Sequence, residues 1–463
     1  MSTLLARFQR HLDRGRLLTE PGTALAAVSG GADSVALLDL LSEVAAARGV
    51  SLVVGHLDHG ISGDSAAVAE AVRDLAAQYH LPFELGQLAP PLGPGASETA
   101  ARRARYAWLR DTQRNVGARY LVTAHHRDDQ VETVLLRFLH GSGPAGLAGV
   151  PAKARGGLVR PLLPFTRAEL EAHCAARGLA WHRDPANRDP RHLRSWIRTT
   201  LLPLIEQRIG GDARQRILDV GRQAARDRQA WNSVLDLLPG LELRIEASGY
   251  DVVRASLAGY DEVLAETVLR AAGRRVGCRL GERQARRLLE LAGRPSGRRI
   301  SLGAGWSGEV AFDRLRVRRE GPAPVTALAP AGERGRATFG GWRVGWEPEP
   351  APPHMERGGW RTWIPGAGWS VRAPRAGDVV LPLGGVGHRP LRRLLMEARV
   401  PRSDRASYPV VVRGETILWV PGICRSAEQL PDPGTPAVRL DVTERSDTKA
   451  DGRDQARQDR LRR

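Results

Sequence analysis

One stretch constrains the fold more than any other: Ala24-Leu-Ala-Ala-Val-Ser-Gly-Gly-Ala-Asp-Ser-Val-Ala-Leu-Leu38. Ala24 to Val28 is a short apolar run that stops at Ser29, the pattern of a buried strand. Gly30 and Gly31 can take turn angles closed to other residues. From Asp33 onward, Val35, Leu37, Leu38, Leu40 and Leu41 suit a helix packed on a sheet. A strand that runs through glycines into a helix presents free N–H groups at the positive end of the helix dipole, where an anion is held. No Gly-Lys-Ser/Thr follows, so the loop is not of the Walker type.

The pattern then repeats. Ser51–His56, Pro82–Leu88 and Arg119–Ala124 read as strands; Gly63–His80, a segment starting at Ser97, and Asp128–His140 read as helices. Strands alternating with helices imply a parallel sheet covered on both faces. Ligands of such sheets bind at the carboxyl ends of the strands. Ser29, His56, His59 and His125 fall at those ends, so their loops are expected to converge on one crevice.

Thr166–Gly178 and Arg194–Ile209 read as further helices, the second despite Pro203. Gly210-Gly211 then marks a boundary. The expected organisation is an α/β, Rossmann-like parallel-sheet domain over 1–210 and a mainly helical domain over 211–325, with a β-hairpin at Ile300–Arg318. A Pro/Gly-rich linker over 326–358 and a small α+β domain over 359–442 follow, and the charged tail 443–463 reads as disordered.

Composition narrows the partners. The 463 residues carry a net charge of +18, and Lys153 and Lys449 are the only lysines, so the basic residues are almost all arginine. Genomic base composition accounts for arginine over lysine, but not for the excess over 51 acids. A polyanionic partner, most simply nucleic acid, is favoured. With so little lysine, any amine chemistry must come from a substrate. Cys174, Cys278 and Cys424 are far apart and form no metal or redox spacing, which fits a reducing cytoplasm. No signal peptide is visible in Met1–Glu20, and no apolar run is long enough to cross a membrane.

The second informative stretch is Ala124-His-His-Arg-Asp-Asp-Gln-Val-Glu-Thr133. Carboxylates at a helix N-terminus are favourable in themselves. That effect needs one, whereas Asp128, Asp129 and Glu132 stand together beside two histidines. Carboxylates near a phosphate loop are what Mg²⁺-ATP chemistry requires, because Mg²⁺ takes oxygen ligands shared with phosphates. His56, His59 and His125 as zinc ligands is the less economical alternative, since histidines at strand ends more often bond loops or phosphates.

On these residues the chain resembles the tRNA(Ile)-lysidine synthetase family of the ATP pyrophosphatase superfamily. The matching stretches are Ser29-Gly-Gly-Ala-Asp-Ser34, His56-Leu-Asp-His59-Gly60, Glu98-x-x-Ala-Arg102-x-x-Arg105-Tyr106 and Ala124-His-x-x-Asp128-Asp129-x-x-Glu132-Thr133. Others are Gly141-Ser-Gly143 to Gly149, Arg160-Pro-Leu-Leu163 and Asp184-Pro-Ala-Asn187 to Arg194. Beyond them come Arg372, Gly377-Asp378, Gly387-His-Arg-Pro-Leu-Arg-Arg393, Val400-Pro401, Arg405 and Trp419-Val-Pro-Gly422. The chain departs from the family at His140, Val150 and Ser195, where Arg, Met and Asn are expected.

The resemblance implies a two-step reaction. A cytosine oxygen attacks the α-phosphorus of ATP and releases pyrophosphate; the amine of free L-lysine then displaces AMP. It implies ATP and Mg²⁺ as cofactors, tRNA(Ile) with the anticodon CAU as partner, no membrane, and room for a homodimer. Ser29, Gly30, Gly31, Ala32, Asp33 and Ser34, with His56 and His125, are the candidates for holding the nucleotide. Asp33 and Asp129 are the candidates for the metal. Arg102 and Arg105 are candidate cations for phosphate charge, although a solvated helix face explains them equally well without the resemblance. Asp129 and Glu132 are the candidates for holding the lysine ammonium and helping to deprotonate it. The nearest rival is a tRNA 2-thiolation enzyme with the same loop, disfavoured because no pair of cysteines is offered; a non-catalytic tRNA-binding protein is the other alternative.

Overall fold

The computed structural model describes residues 3–58, 60, 65–88, 98–183, 193–321 and 327–444. Its contacts fall into two compact units, Met1–Gln229 and Ala230–Arg463.

The first unit begins with helix α1 (Leu4–Arg14), capped by the Thr3 hydroxyl. Strand β1 (Gly22–Ala27) leads into α2 (Ala32–Val44), followed by β2 (Val50–Asp58), α3 (Ser65–Gln78), β3 (Phe83–Gln87), α4 (Glu98–Asn115), β4 (Tyr120–Val122) and α5 (Arg127–Leu139). Two short strands, β5 (Lys153–Ala154) and β6 (Leu158–Val159), complete a six-stranded sheet of order β3-β2-β1-β4-β6-β5. Every pairing is parallel except β5 with β6. β1 lies between β2 and β4, with Ala24 opposite both Leu52 and Tyr120. Side-chain alternation along β1 follows from this burial on both faces. Ala24, Ala26 and Val28 face a core built with α1, α2 and α3, while Leu25 faces a second core against Leu109 of α4. The chain leaves β1 towards β2 on one side and reaches β4 on the other. The carboxyl ends of β1 and β4 therefore form a topological switch point, the place where open α/β sheets take ligands.

Helix α6 (Arg167–Ala176) packs on α2; α7 (Leu193–Trp196), a π-helical turn (Ile197–Leu201) and α8 (Leu202–Ile209) follow. The helix expected over 194–209 is thus broken into three pieces. Pro203 supplies no N–H at the start of α8, and the ladder widens just before it. The long α9 (Ala213–Leu237) closes the unit, and the division between the units falls within it.

The second unit opens with β7 (Arg244–Glu246), β8 (Gly249–Val253), α10 (Arg254–Ala258), α11 (Glu262–Val276) and α12 (Glu282–Ala292). Strands β9 (Arg299–Gly303), β10 (Trp306–Ala311) and β11 (Arg314–Arg319) extend the expected hairpin to three strands. A five-stranded antiparallel sheet, β7-β8-β11-β10-β9, therefore backs the helices of this middle region.

The segment expected to be a linker, 326–358, instead carries three strands. It contains β12 (Ala327–Leu328), β13 (Gly335–Phe339) and β14 (Trp342–Pro350), and Phe339, Val344 and Trp346 enter a hydrophobic core. Its glycines mislead because two of them, Gly340 and Gly341, form the β13–β14 turn, where Gly340 has φ +57°. The remaining elements are β15 (Arg361–Pro365), β16 (Ser370–Arg372), β17 (Val379–Val380), β18 (Arg389–Pro390), α13 (Leu391–Glu397), α14 (Arg402–Arg405), β19 (Val410–Arg413), β20 (Thr416–Val420), β21 (Cys424–Arg425) and β22 (Pro436–Glu444). They form sheets of order β12-β16-β19-β20-β21 and β13-β14-β22-β15, plus the β17–β18 pair. β22 runs to Glu444, two residues into the expected tail; the rest of that tail lies outside the described residues.

Candidate active site

The phosphate loop is shaped by two residue types. Gly30 has φ +83°, and a Cβ there would meet Val68 Cγ1 at 2.7 Å, so backbone angle and space both demand glycine. Ser34 closes the loop from within. Its Oγ accepts from the Ser29 N–H at 3.1 Å, lies 3.2 Å from the Ser29 hydroxyl and donates to the Gly31 carbonyl at 2.8 Å. Gly31 is the extended N-cap of α2 and Ala32 its first residue, so the helix N-terminus opens onto the loop. His56, buried at the end of β2, donates from Nδ1 to the Val28 carbonyl at 2.8 Å. Burial lowers its pKa, against smaller opposing effects of that bond and Asp58. A neutral His56 therefore props the strand entering the loop.

The acidic cluster meets this loop across the switch point. Asp33, in the first turn of α2, brings Oδ2 to 3.4 Å from His126 Nε2; its Oδ1 is buried with no hydrogen-bond partner among the described residues. Asp129 Oδ2 accepts the His126 backbone N–H at 3.0 Å and lies 3.5 Å from the same Nε2. Asp128 points the other way, accepting the Arg167 N–H at 2.9 Å and Arg214 Nη1 at 3.1 Å, with His126 Nδ1 at 3.6 Å. One imidazole thus sits among three carboxylates. Burial disfavours its charge, but the hydrogen bond to Asp33 and the fields of Asp129, Asp33 and Asp128 outweigh that and hold its pKa at about 9. Burial likewise works against the Asp129 charge, and His126⁺ and Arg194 prevail, lowering its pKa.

Its neighbour His125 has the opposite character. It contacts the Thr123 hydroxyl through Nδ1 at 3.0 Å and Arg102 Nη2 through Nε2 at 3.3 Å. Burial, joined by Arg102, Arg160 and Arg105 against the pull of Asp129, brings its pKa down to about 3. Neutral, it accepts from Arg102, whose guanidinium also lies over the Tyr106 ring at 5.1 Å. Arg102 and Arg105 are half-buried rather than fully solvated, Arg102 meets His125 directly, and Arg105 is near enough for its charge to act on that imidazole.

Glu132 departs from expectation. It is 1% exposed, and both oxygens are taken by arginines. Arg194 Nε donates to Oε2 at 2.9 Å; Arg198 donates from Nε to Oε1 at 2.6 Å and from Nη2 to Oε2 at 3.0 Å. A carboxylate so enclosed has no oxygen to offer an incoming ammonium. Sequence reasoning did not single out His126, Arg194, Arg198 or Arg160 as site residues. The i, i+4 spacing of Arg194 and Arg198 was a signal for two guanidiniums on one helix face, but their target lies 62 and 66 residues away.

Of the three departures, Val150 joins Gln130 through its backbone alone, at 2.8 and 2.7 Å, so its side chain is not read there. His140 caps α5, with Nδ1 2.6 Å from the Leu136 carbonyl, and Ser195 is buried. His59 and Asp184–Asn187 lie outside the described residues. Cys174 is buried under the loop, its Sγ 3.5 Å from the Ala32 carbonyl, and burial raises its pKa to about 11, so it supplies no thiolate. Cys278 and Cys424 are likewise buried and free.

The arrangement can therefore cradle an anion at the loop and offer carboxylate oxygens to a cation beside it. Residues 4–205 match the family described as the PP-loop domain, which binds ATP, and this defines the class of the N-terminal unit. Residues 369–442 match the TilS substrate C-terminal domain. The chain is 34% identical to tRNA(Ile)-lysidine synthase of Symbiobacterium thermophilum over 478 residues, covering 96% of this chain and 98% of that one. Proteins of the same name from Geobacter sulfurreducens and Solibacter usitatus are each 33% identical, over 87% and 85% of this chain and 88% and 91% of theirs. The chain belongs to the tRNA(Ile)-lysidine synthase family. No helix among the described residues is long and apolar enough to cross a membrane.

Proposed function

We propose that the protein joins free L-lysine to carbon 2 of the first anticodon cytidine of tRNA(Ile) bearing CAU, consuming ATP to AMP and pyrophosphate. The observation that carries this reading is the pairing, at one switch point, of a phosphate loop with an acidic cluster whose Asp33 keeps a buried oxygen unpartnered. In the first step the cytosine 2-oxygen attacks the α-phosphorus and pyrophosphate leaves. The loop's backbone N–H groups and the α2 N-terminus hold the phosphates. Arg102 and Arg105, beside neutral His125, face charge developing on them.

Asp33 and Asp129 fit a Mg²⁺ site. Among the described residues no group of three or more ligating side chains encloses a metal. Mg²⁺ needs no such cage, being held by one or two carboxylates together with phosphate oxygens and water. When bound, it would draw charge from the phosphate oxygens. In the second step the lysine ε-amine bonds to carbon 2 and AMP departs, the amine shedding its protons as the new bond forms. Asp129, kept ionised, is the carboxylate suited to orient the ammonium beforehand. The target base lies in a single-stranded loop, from which it can be splayed into a pocket at modest cost. The reading places the reaction in the cytoplasm and extends to a homodimer, which sedimentation tests.

The experiment mixes enzyme, ATP, labelled lysine and tRNA(Ile) with CAU, beside a methionine tRNA of the same anticodon. Label should enter only the first, as a base adduct stable to the mild alkali that cleaves aminoacyl esters. Label in neither, with sulfur incorporated from a thiol donor, overturns the proposal in favour of thiolation.

A further inference from the structure

We propose that Glu132 is a positioning residue for the ATP half of the reaction: it fixes Arg194 and Arg198 beside the phosphate site and does not meet the lysine amine. The inference rests on the two-step reading above and assigns this carboxylate to its first step.

Three charge-assisted hydrogen bonds, of 2.9, 2.6 and 3.0 Å, occupy both Glu132 oxygens. At 1% exposure the carboxylate has no open side towards a ligand. Its two arginines are less enclosed, with side chains 19% and 29% exposed. Arg194 reaches Asp129 Oδ1 and the Thr133 hydroxyl at 3.4 Å each. Arg198 is held firmly charged, first by its bond to Glu132 and then by the fields of Asp129 and Asp33. Both guanidiniums therefore sit within electrostatic reach of the carboxylates next to the phosphate loop.

The backbone supports this placement. Arg198 lies within the π-helical turn Ile197–Leu201, a local form frequent at functional sites. Arg194, in the α-helical turn before it, converges with Arg198 on the one carboxylate. An anion fixing two cations beside a polyphosphate site pre-organises positive charge for the oxygens of the α-phosphorus, where negative charge builds as pyrophosphate leaves. An amine site would require the reverse, a carboxylate with a bare oxygen, and Asp33, whose Oδ1 has no partner among the described residues, is the group placed for that.

The test separates the half-reactions in the full chain. Pyrophosphate release with tRNA and without lysine reads adenylation; KM for lysine in the complete reaction reads the amine site. In Glu132→Gln, adenylation should fall at least tenfold while KM for lysine stays within twofold. Arg198→Gln should show the same split. The double variant should be no worse than the weaker single one, because both remove one unit. Glu132→Asp should recover part of the rate. If Glu132→Gln does not fold, Arg198→Gln alone decides, since that side chain is partly exposed. A tenfold rise in KM for lysine with wild-type adenylation overturns the inference, as does wild-type adenylation in Arg198→Gln. Failure of the two-step reading shows separately, as a wild-type enzyme that releases no pyrophosphate in the presence of tRNA.

Discussion

In the C-terminal unit Asp378 is half-buried with both oxygens on the buried Arg372, each at 2.8 Å; in the N-terminal unit the buried Oδ1 of Asp33 rests on nothing among the described residues. Both regions place charge under protein. They differ in whether the carboxylate is spent. Arg372 also donates to the Ala373 carbonyl at 2.9 Å, and Arg425, 0% exposed, donates to the carbonyls of Leu418, Ser426, Glu428 and Gln429. Burial pulls the Arg425 pKa down to about 10, yet its neighbours are backbone oxygens that fix one loop. Such groups specify a fold. Around Asp33, three carboxylates share one imidazole and keep capacity for a cation or a phosphate-bound metal. A buried carboxylate oxygen with unused bonding capacity marks chemistry; a carboxylate saturated by a guanidinium marks architecture.

If Asp33 were structural like Asp378, removing its charge would cost stability rather than rate. Asp33→Asn should lower tRNA-dependent pyrophosphate release at least ~10³-fold, about 4 kcal/mol of barrier, while melting temperature and tRNA affinity stay near wild type. Pyrophosphate release within tenfold of wild type would return Asp33 to the saturated class.

The converse substitution is Asp378→Ala, which leaves Arg372 buried at 3% exposure without its partner. Breaking such a pair should destabilise the second unit by about 3 kcal/mol, measured by urea unfolding. Arg372 and the Arg375 backbone hold the Asp378 pKa down against burial, so the pair's contribution is present above the ordinary carboxylate range and is lost as pH falls through it. An acid limb unchanged by the substitution would show that the pair is not what acid breaks.

His126 gives the N-terminal unit an alkaline weakness that the Asp378 pair does not share. Its folded pKa of about 9 exceeds the unfolded value of about 6.5, so its stabilisation is complete below pH 6.5 and disappears as pH rises through 9. His125 works oppositely: with a folded value of about 3, it costs stability as pH falls below 6.5. Amide exchange should therefore accelerate in α2 and α5 between pH 7 and 10, after correction for intrinsic rates. His126→Gln should remove that pH dependence, worth on the order of 2 kcal/mol. A pH dependence that survives the substitution assigns it to another group.

How much of this was readable in the sequence follows from range. The loop Ser29–Ser34 was readable because its requirements are local: a strand, a glycine at positive φ, a helix start. The convergence of Ser29, His56 and His125 was readable because parallel sheets fix where loops meet. The split between His125 and His126 was not, since adjacent residues face different elements and only the tertiary field decides which imidazole is charged. Glu132 looked like its neighbour Asp129 until the chain returned at Arg194 and Arg198 to cover it. The linker expected over 326–358 failed for a related reason. Val344 and Trp346 gain meaning only against β22, far along the chain, where Val344 faces Val442 and Trp346 faces Leu440.

The smallest expected effect concerns the basic segment Gly387–Arg393, which holds three arginines. The structure divides its arginines. Arg389 and Arg393 both bond Glu397, at 2.7 and 3.2 Å, whereas Arg392 has no carboxylate partner among the described residues. The same contrast occurs on α12, where Arg286 bonds Glu266 at 3.2 Å while Arg283 and Arg287 are exposed with no such partner among the described residues. A guanidinium already neutralised must give up its carboxylate before it displaces a counterion from RNA; an unpaired one need not. Arg392→Ala, Arg283→Ala and Arg287→Ala should therefore each reduce the slope of log K against log salt for tRNA binding by about one unit where the side chain meets a phosphate. Arg389→Ala and Arg393→Ala should change it by clearly less. Truncation after Pro353 cannot make this test, because it strips β14 of β22 and opens the core around Trp346. Equal slopes for the paired and unpaired sets would mean that the saturated and open charges of this unit do not differ in what they can bind.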